Sequence, residues 1–242
     1  MRIPRLYTPA DLRPGETTEL DAPTSRRLLR VLRLRAGAPL VLFNGDGKDY
    51  PALLHVRGRD QARAEVQECR GNHSESPLHI SLLQGVSRGE RMDYTLQKAV
   101  ELGVKAVYPL FCERSVVRLD SKRADKRLHH WQGVVISACE QSGRSRIPEL
   151  HPLRSLDAAL QDLPQGQRLL PQPGSPEGLA AMPTSAELVL LVGPEGGLSE
   201  AEVERARATQ FRCIHLGPRI LRTETAGVAT LAALQALWGD LR

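Results

Sequence analysis

From residue 78 onward the chain alternates short apolar runs with amphipathic segments, and this alternation limits its architecture more than any other feature. Leu78 to Leu83, Ala106 to Phe111, Arg168 to Leu170, Leu188 to Val192 and Cys213 to Leu216 read as strands. Arg91 to Leu102, Lys122 to Gln141, Ser199 to Thr209 and Thr223 to Leu237 read as helices, with Met92, Leu96 and Ala99 on one face of the first. Strands alternating with helices predict an α/β fold built on a mostly parallel sheet covered on both faces. Ahead of this region, the polar stretch Gly71-Asn72-His73-Ser74-Glu75-Ser76-Pro77 reads as a linker, which predicts a domain boundary near residue 72. Before it, Pro39 to Phe43, Tyr50 to Val56 and Arg63 to Cys69 read as strands, the first two joined by the hairpin sequence Asn44-Gly45-Asp46-Gly47. A small β-rich module is expected there.

With 242 residues, 41% of them hydrophobic, the chain can bury a core without disulfides or metals. No apolar run approaches the roughly 18 residues of a membrane-spanning helix. The start, Met1-Arg2-Ile3-Pro4-Arg5, lacks the apolar stretch of a signal peptide, so a cytoplasmic protein with no membrane partner is expected. Cys69, Cys112, Cys139 and Cys213 stand far apart, with no Cys-x-x-Cys pair and no close His, which predicts reduced thiols and no metal. The net charge of +5 is a weak pointer to an anionic partner, but residues 1 to 72 hold 13 Lys or Arg against 9 Asp or Glu and so carry most of the excess.

Four segments could carry chemistry. The run Leu188 to Val192 leads directly into Gly193-Pro194-Glu195-Gly196-Gly197 and then Ser199 and Glu202, giving a strand, a glycine loop and a helix start. Such a loop lets backbone approach a ligand closely at the carboxyl end of a parallel strand. An ordinary βα turn closed by a Ser199–Glu202 capping box would look the same. The loop lacks the Lys-Ser/Thr of a phosphate-binding P-loop, and no Gly-x-Gly-x-x-Gly follows a predicted strand. A second strand-to-helix loop runs from His215 to Ala226, and two such loops in one sheet could build one pocket. Within it Thr223 is a candidate N-cap and Glu224 a favourable first-turn charge, whereas Arg222 adds to the positive potential of the helix start and suits an anionic ligand.

The third segment, Glu140-Gln141-Ser142-Gly143-Arg144-Ser145-Arg146, reads as a glycine stop followed by a basic loop, with Arg144 and Arg146 available to phosphate or to a partner subunit. The fourth, Arg26 to Arg35, has five arginines in ten residues and no acid. On a helix Arg26, Arg30 and Arg33 would share a face, with Leu28, Val31 and Leu32 turned largely away. A solvated helix face is one reading, and a grip on a phosphate backbone by Arg26, Arg27, Arg30 and Arg33 is the other.

Together the pieces Val31-Leu32-Arg33, Gln97 to Val104, Glu140 to Arg144, Gly193 to Gly197 and Leu216 to Ala226, in this order, resemble the RsmE family, the 16S ribosomal RNA uracil N3-methyltransferases of the SPOUT superfamily. The resemblance runs nearly end to end. One departure is that Arg26 and Arg27 stand where the family often carries histidine ahead of the Val-Leu-Arg segment. The resemblance implies a PUA-like β-barrel over residues 1–72 that binds RNA, followed over residues 73–242 by a SPOUT-type domain with a C-terminal trefoil knot. It implies S-adenosylmethionine as cofactor, enclosed by Leu170, by Val192, Gly193, Pro194, Glu195, Gly196 and Gly197, and by Leu216, Gly217, Ile220, Leu221 and Arg222. It also implies a homodimer acting on 16S rRNA in the small ribosomal subunit. Arg222 is then the candidate donor to the uracil oxygens, and Glu224 or Glu195 the candidate base. A related enzyme acting on another RNA or position, or a catalytically silent ribosome-assembly factor, would use the same segments differently.

Overall fold

The computed structural model describes residues 3–115 and 121–241, in two compact units. One comprises residues 1–75 together with 139–147; the other comprises 76–138 and 148–242.

The first unit is built on a mixed sheet. Strands β1 (Arg5–Tyr7), β2 (Thr17–Glu19), β3 (Pro39–Phe43), β4 (Lys48–Val56) and β5 (Ala62–Val66) lie in the order β1-β3-β4-β5-β2, and the short β6 (Arg70–Gly71) pairs with β4. Strand β1 runs parallel to β3, and the other pairs are antiparallel. Gly45 and Gly47 take φ of 96° and 90° in the β3–β4 turn, a region that suits glycine. Leu6, Leu40, Leu42, Leu54 and Leu28 close the core.

The arginine-rich segment departs from the expected helix. Helix α1 (Ala22–Arg26) gives way to a π-helical turn at Arg27–Val31, and Arg33 takes a left-handed φ of 53°. The wider turn changes the angular step between residues, so a 3.6-residue wheel no longer describes the run. Leu28 enters the core, while Val31 and Leu32 are exposed beside the arginines.

The second unit contains a parallel sheet of seven strands: β7 (His79–Gly85), β8 (Ala106–Phe111), β9 (Glu149–Leu150), β10 (Arg154–Ser155), β11 (Gln167–Pro171), β12 (Glu187–Val192) and β13 (Arg212–Ile214). The order is β10-β8-β7-β12-β11-β13, with β9 also on β8. Side chains alternate across a strand. Leu188, Leu190 and Val192 therefore face one layer, packed with α2 (Glu90–Glu101), α3 (Ser121–Ser142) and α6 (Thr223–Trp238) through Met92, Leu96, Trp131, Leu231 and Leu234. Val189 and Leu191 face the other layer, formed with α4 (Leu156–Gln161) and α5 (Glu200–Ala208). Burial on both faces explains why β12 reads as an unbroken apolar run, each leucine contributing roughly 1.5 to 3 kcal/mol. The last residues of α3 and the turn after it belong to the first unit.

All four cysteines are free thiols, and burial pushes those of Cys112 and Cys139 up to about 12, so neither is a thiolate at neutral pH. Among the described residues no His, Cys, Asp and Glu cluster could hold a metal ion, and no helix is long and apolar enough to cross a membrane.

Candidate active site

In a parallel sheet all the carboxyl ends emerge on one side, and ligands bind in the crevice outside them. Here the loops after β11, β12 and β13 and the start of α6 enclose a cavity of about 340 Å3. Leu170, Val192, Gly193, Pro194, Glu195, Gly196 and Gly197 line it from two of the loops. Leu216, Gly217, Ile220 and Leu221 line it from the third. Arg222 is not among the lining residues; it is the exposed N-cap of α6.

The glycine loop is tightly seated. A Cβ on Gly85, at the end of β7, would stand 2.5 Å from the Pro194 nitrogen, and one on Gly193 would stand 3.0 Å from the Leu198 nitrogen. Only bare backbone fits at these two crossings. Gly197 takes φ of 67° in a turn closed by its N–H to the Pro194 carbonyl at 2.9 Å. The Ser199–Glu202 capping box is present as well: Ser199 Oγ accepts from Glu202 N at 3.1 Å, and Glu202 Oε2 accepts from Ser199 N at 2.8 Å. The motif is thus both a capped turn and a cavity wall.

Thr223 does not cap α6. Its hydroxyl instead donates to the Gly193 carbonyl at 2.5 Å and accepts from Gln84 Nε2 at 3.2 Å. The correction has a physical cause, because Thr223 already lies within the helix and its side chain turns back to the neighbouring strand end. Fully buried Gln84 also donates to the Gly85 carbonyl at 3.0 Å, so its amide joins the end of β7 to α6, and the Thr223 hydroxyl carries the link on to the glycine loop.

Beside the cavity stand two carboxylates. Glu195 Oε1 accepts from the backbone N–H of Arg88 at 2.7 Å and from Arg91 Nη1 at 3.3 Å. Glu224 Oε1 lies 4.0 Å from Arg91 Nε. The Oε2 atoms of both are buried without a hydrogen-bond partner among the described residues. Arg88 and Arg91 were not singled out from the sequence. For Arg88 the signal was available, since its loop follows β7, another strand of the same parallel sheet, whereas Arg91 already lies inside α2 and carried no such signal. Arg114 was missed too; it lines the cavity and donates to the carbonyls of Gly196 at 3.3 Å and Leu198 at 3.4 Å.

The arginines assigned to RNA fall into different environments. Arg26, Arg33 and Arg146 are exposed. Arg27 pairs with Glu140 at 2.6 Å, and Arg30 forms a two-pronged pair with Asp60 at 2.6 and 2.8 Å. The expectation that the run has no acid to pair with is therefore corrected: the partners are distant in sequence, where local composition cannot reveal them. Arg144 is corrected as well. It is 2% exposed and its guanidinium meets Glu75 at 2.8 Å, so it is a buried structural cation and not a surface contact for phosphate.

Comparison with known proteins gives this arrangement a family. Residues 74–235 match the family model described as RNA methyltransferase domain. The ribosomal RNA small subunit methyltransferase E of Buchnera aphidicola subsp. Schizaphis graminum is 34% identical, over 99% of this chain and 98% of that protein. The enzyme of the same name from Neisseria gonorrhoeae, solved bound to S-adenosyl methionine, superimposes with a TM-score of 0.93 at 43% identity, each chain covered completely. A Legionella pneumophila protein in complex with the bound cofactor SAM gives 0.96 at 37% identity, again with complete coverage. The glycine-walled cavity at the strand ends thus lies in a chain that belongs to the ribosomal RNA small subunit methyltransferase E (RsmE) family.

Proposed function

We propose that this protein transfers a methyl group from S-adenosylmethionine to N3 of one uridine in the 16S ribosomal RNA of the small subunit. The observation that carries the reading is the cavity at the ends of β11, β12 and β13 with two carboxylates beside it. The cavity fits the cofactor in kind. Leu170, Val192, Leu198 and Ala226 offer apolar surface, and the glycine loop brings peptide groups close enough for polar recognition. The three lining loops, with Arg222 at their edge, would hold it. When bound, S-adenosylmethionine supplies an activated methyl group.

The protein's own task is to place and deprotonate the acceptor. Neutral uracil has no available lone pair at N3, so a base must take that proton while donors stabilise the charge left on O2 and O4. Glu224 suits the base because Glu195 is already engaged by the Arg88 N–H and by Arg91, whereas among the described residues Glu224 has Arg91 alone, at 4.0 Å. Arg222, exposed at the head of α6, suits the donor. Because N3 lies on the Watson–Crick edge, the target base must be unpaired or flipped out.

In this reading residues 1–72 form a PUA-like barrel that grips neighbouring RNA backbone through its arginines. Residues 73–242 form the catalytic domain, its C-terminal part threaded as a trefoil knot. The strand order supports the threading, since β12 lies between β7 and β11 although it follows both in sequence. A homodimer working in the cytoplasm is part of the proposal, and the exposed Ile220, Leu237 and Leu241 are apolar surface that a second copy would cover.

The test supplies labelled S-adenosylmethionine and the protein to small subunits from cells lacking this gene, with free rRNA and transfer RNA in parallel. Label should enter the 16S RNA of the subunits. Label confined to transfer RNA would move the enzyme to another substrate, and no label on any RNA would favour an assembly factor.

A further inference from the structure

A second cavity, of about 570 Å3, opens between the loop after β7 and the glycine loop, lined by Arg88, Glu90, Arg91 and Glu195. Glu195 is the one residue common to its lining and that of the cofactor cavity. Two reactants held in the two cavities would therefore approach each other at Glu195, as a transfer between bound groups requires. The second cavity is lined by charged side chains of both signs, whose aliphatic stems supply most of its surface, whereas leucines recur in the wall of the first. Such a lining matches a pyrimidine edge, which presents one N–H donor between two carbonyl acceptors.

Arg91 occupies a particular place in this arrangement. It lies in the first turn of α2, with Nη1 toward Glu195 at 3.3 Å and Nε toward Glu224 at 4.0 Å. Two carboxylates, one on the glycine loop and one in the first turn of α6, repel each other, and a guanidinium between them offsets that repulsion while its planar fork fixes their orientation. Each keeps one buried oxygen without a hydrogen-bond partner among the described residues, which is the condition of a group prepared to accept a hydrogen bond or a proton.

We propose that this second cavity receives the nucleobase to be methylated, and that Arg91 is a positioning residue that orients Glu195, where the two cavities meet, and Glu224 at the start of α6. The proposal rests on the reading of the protein as a uridine methyltransferase. Arg91 acts through the two glutamates, so its removal misplaces them at the reacting edge while most of the wall around S-adenosylmethionine stays in place.

The experiment compares wild type, Arg91→Gln and Arg91→Lys on small subunits lacking the methylation, measuring kcat and KM for subunits, the methylated nucleoside, and the Kd for S-adenosylmethionine by calorimetry. Arg91→Gln should lower kcat by about 100-fold, the cost of a misplaced reacting group. The loss should fall mainly on kcat: KM for subunits should rise by less than about tenfold, because the base cavity is one of several contacts with the subunit, and the cofactor Kd by less than about threefold, because Glu195 is one of many residues that line the cofactor cavity. Arg91→Lys, which restores the charge without the fork, should recover part of kcat. A raised KM with unchanged kcat would make Arg91 an RNA contact and overturn the proposal, as would full activity in Arg91→Gln. If wild type itself methylates a nucleoside other than uridine, the reading of the reaction fails, and the pyrimidine assignment of the cavity fails with it. Wild-type uridine methylation beside an unaffected variant would sink the cavity assignment alone.

Discussion

The N-terminal unit and the C-terminal unit use their most conspicuous residues in opposite ways. In the first, arginines dominate the sequence, yet much of their charge is matched inside the fold. Arg27 meets Glu140, Arg30 meets Asp60, Arg144 meets Glu75, and Arg5 joins Asp49 at 2.7 Å and Ser145 at 3.0 Å. In the second, the conspicuous residues are the glycines of the site, which act locally: Gly193, like Gly85 opposite it, allows backbone to approach backbone, and Gly197 and Gly217 take left-handed φ. A glycine's role is set by its own backbone and immediate neighbours. An arginine's role is set by whichever acid the tertiary fold brings to it, and that acid can be more than a hundred residues away.

Substitutions can break or sharpen this contrast. The largest effect belongs to Arg144→Ala, which removes a buried guanidinium from the half-buried Glu75 carboxylate and should cost about 3 kcal/mol of stability. A urea titration checks it, and an unchanged midpoint would return Arg144 to the surface cations. Gly85→Ala comes next. The added methyl must displace the Gly193–Pro194 backbone, so it should cost roughly 1 to 3 kcal/mol and weaken S-adenosylmethionine binding as well, read by thermal shift and calorimetry.

Third is an acid dependence carried by Asp49. Burial opposes its ionisation, but hydrogen bonds from Arg5, Ser145 and Asn72 outweigh it and hold its carboxyl below the ordinary value of 3.8. A group depressed in the folded state stabilises the fold above its unfolded value and loses that contribution as pH falls through the folded one. Stability measured downward from about pH 5 should therefore fall less steeply in Asp49→Asn than in wild type. Equal slopes would remove Asp49 from the account. The smallest effect on stability belongs to the exposed Arg26 and Arg33, whose alanine variants should melt within about 0.5 kcal/mol of wild type. If they meet phosphate, each should also lower the salt dependence of RNA binding by about one unit of slope. A large loss of stability in either would show that they too serve the fold.

The same contrast explains what the sequence made legible. Apolar alternation located β3, β7, β8, β12, α2, α5 and α6 to within a residue or two, because core burial imposes it directly. The strands β1, β2, β6, β9 and β10 escaped, being two or three residues long and too short to show a period. The return of residues 139–147 to the first unit was invisible for a similar reason, since Ser145 and Glu140 announce nothing until Asp49, Arg5 and Arg27 stand beside them. At the site, the glycine loop and the loop from Leu216 to Leu221 could be read as walls from their place after a strand. Arg91 could not be distinguished from any first-turn arginine, because its meaning comes from Glu195 on the glycine loop and Glu224 in α6.

The central claim is that the C-terminal unit methylates a uracil ring nitrogen, and the identity of the product tests it most directly. Subunit RNA methylated by this protein would be digested to nucleosides and resolved by chromatography and mass spectrometry against standards. N3-methyluridine is the predicted product. A ribose-methylated nucleoside, or methylation of any base other than uracil, would contradict the account while leaving the fold unchanged.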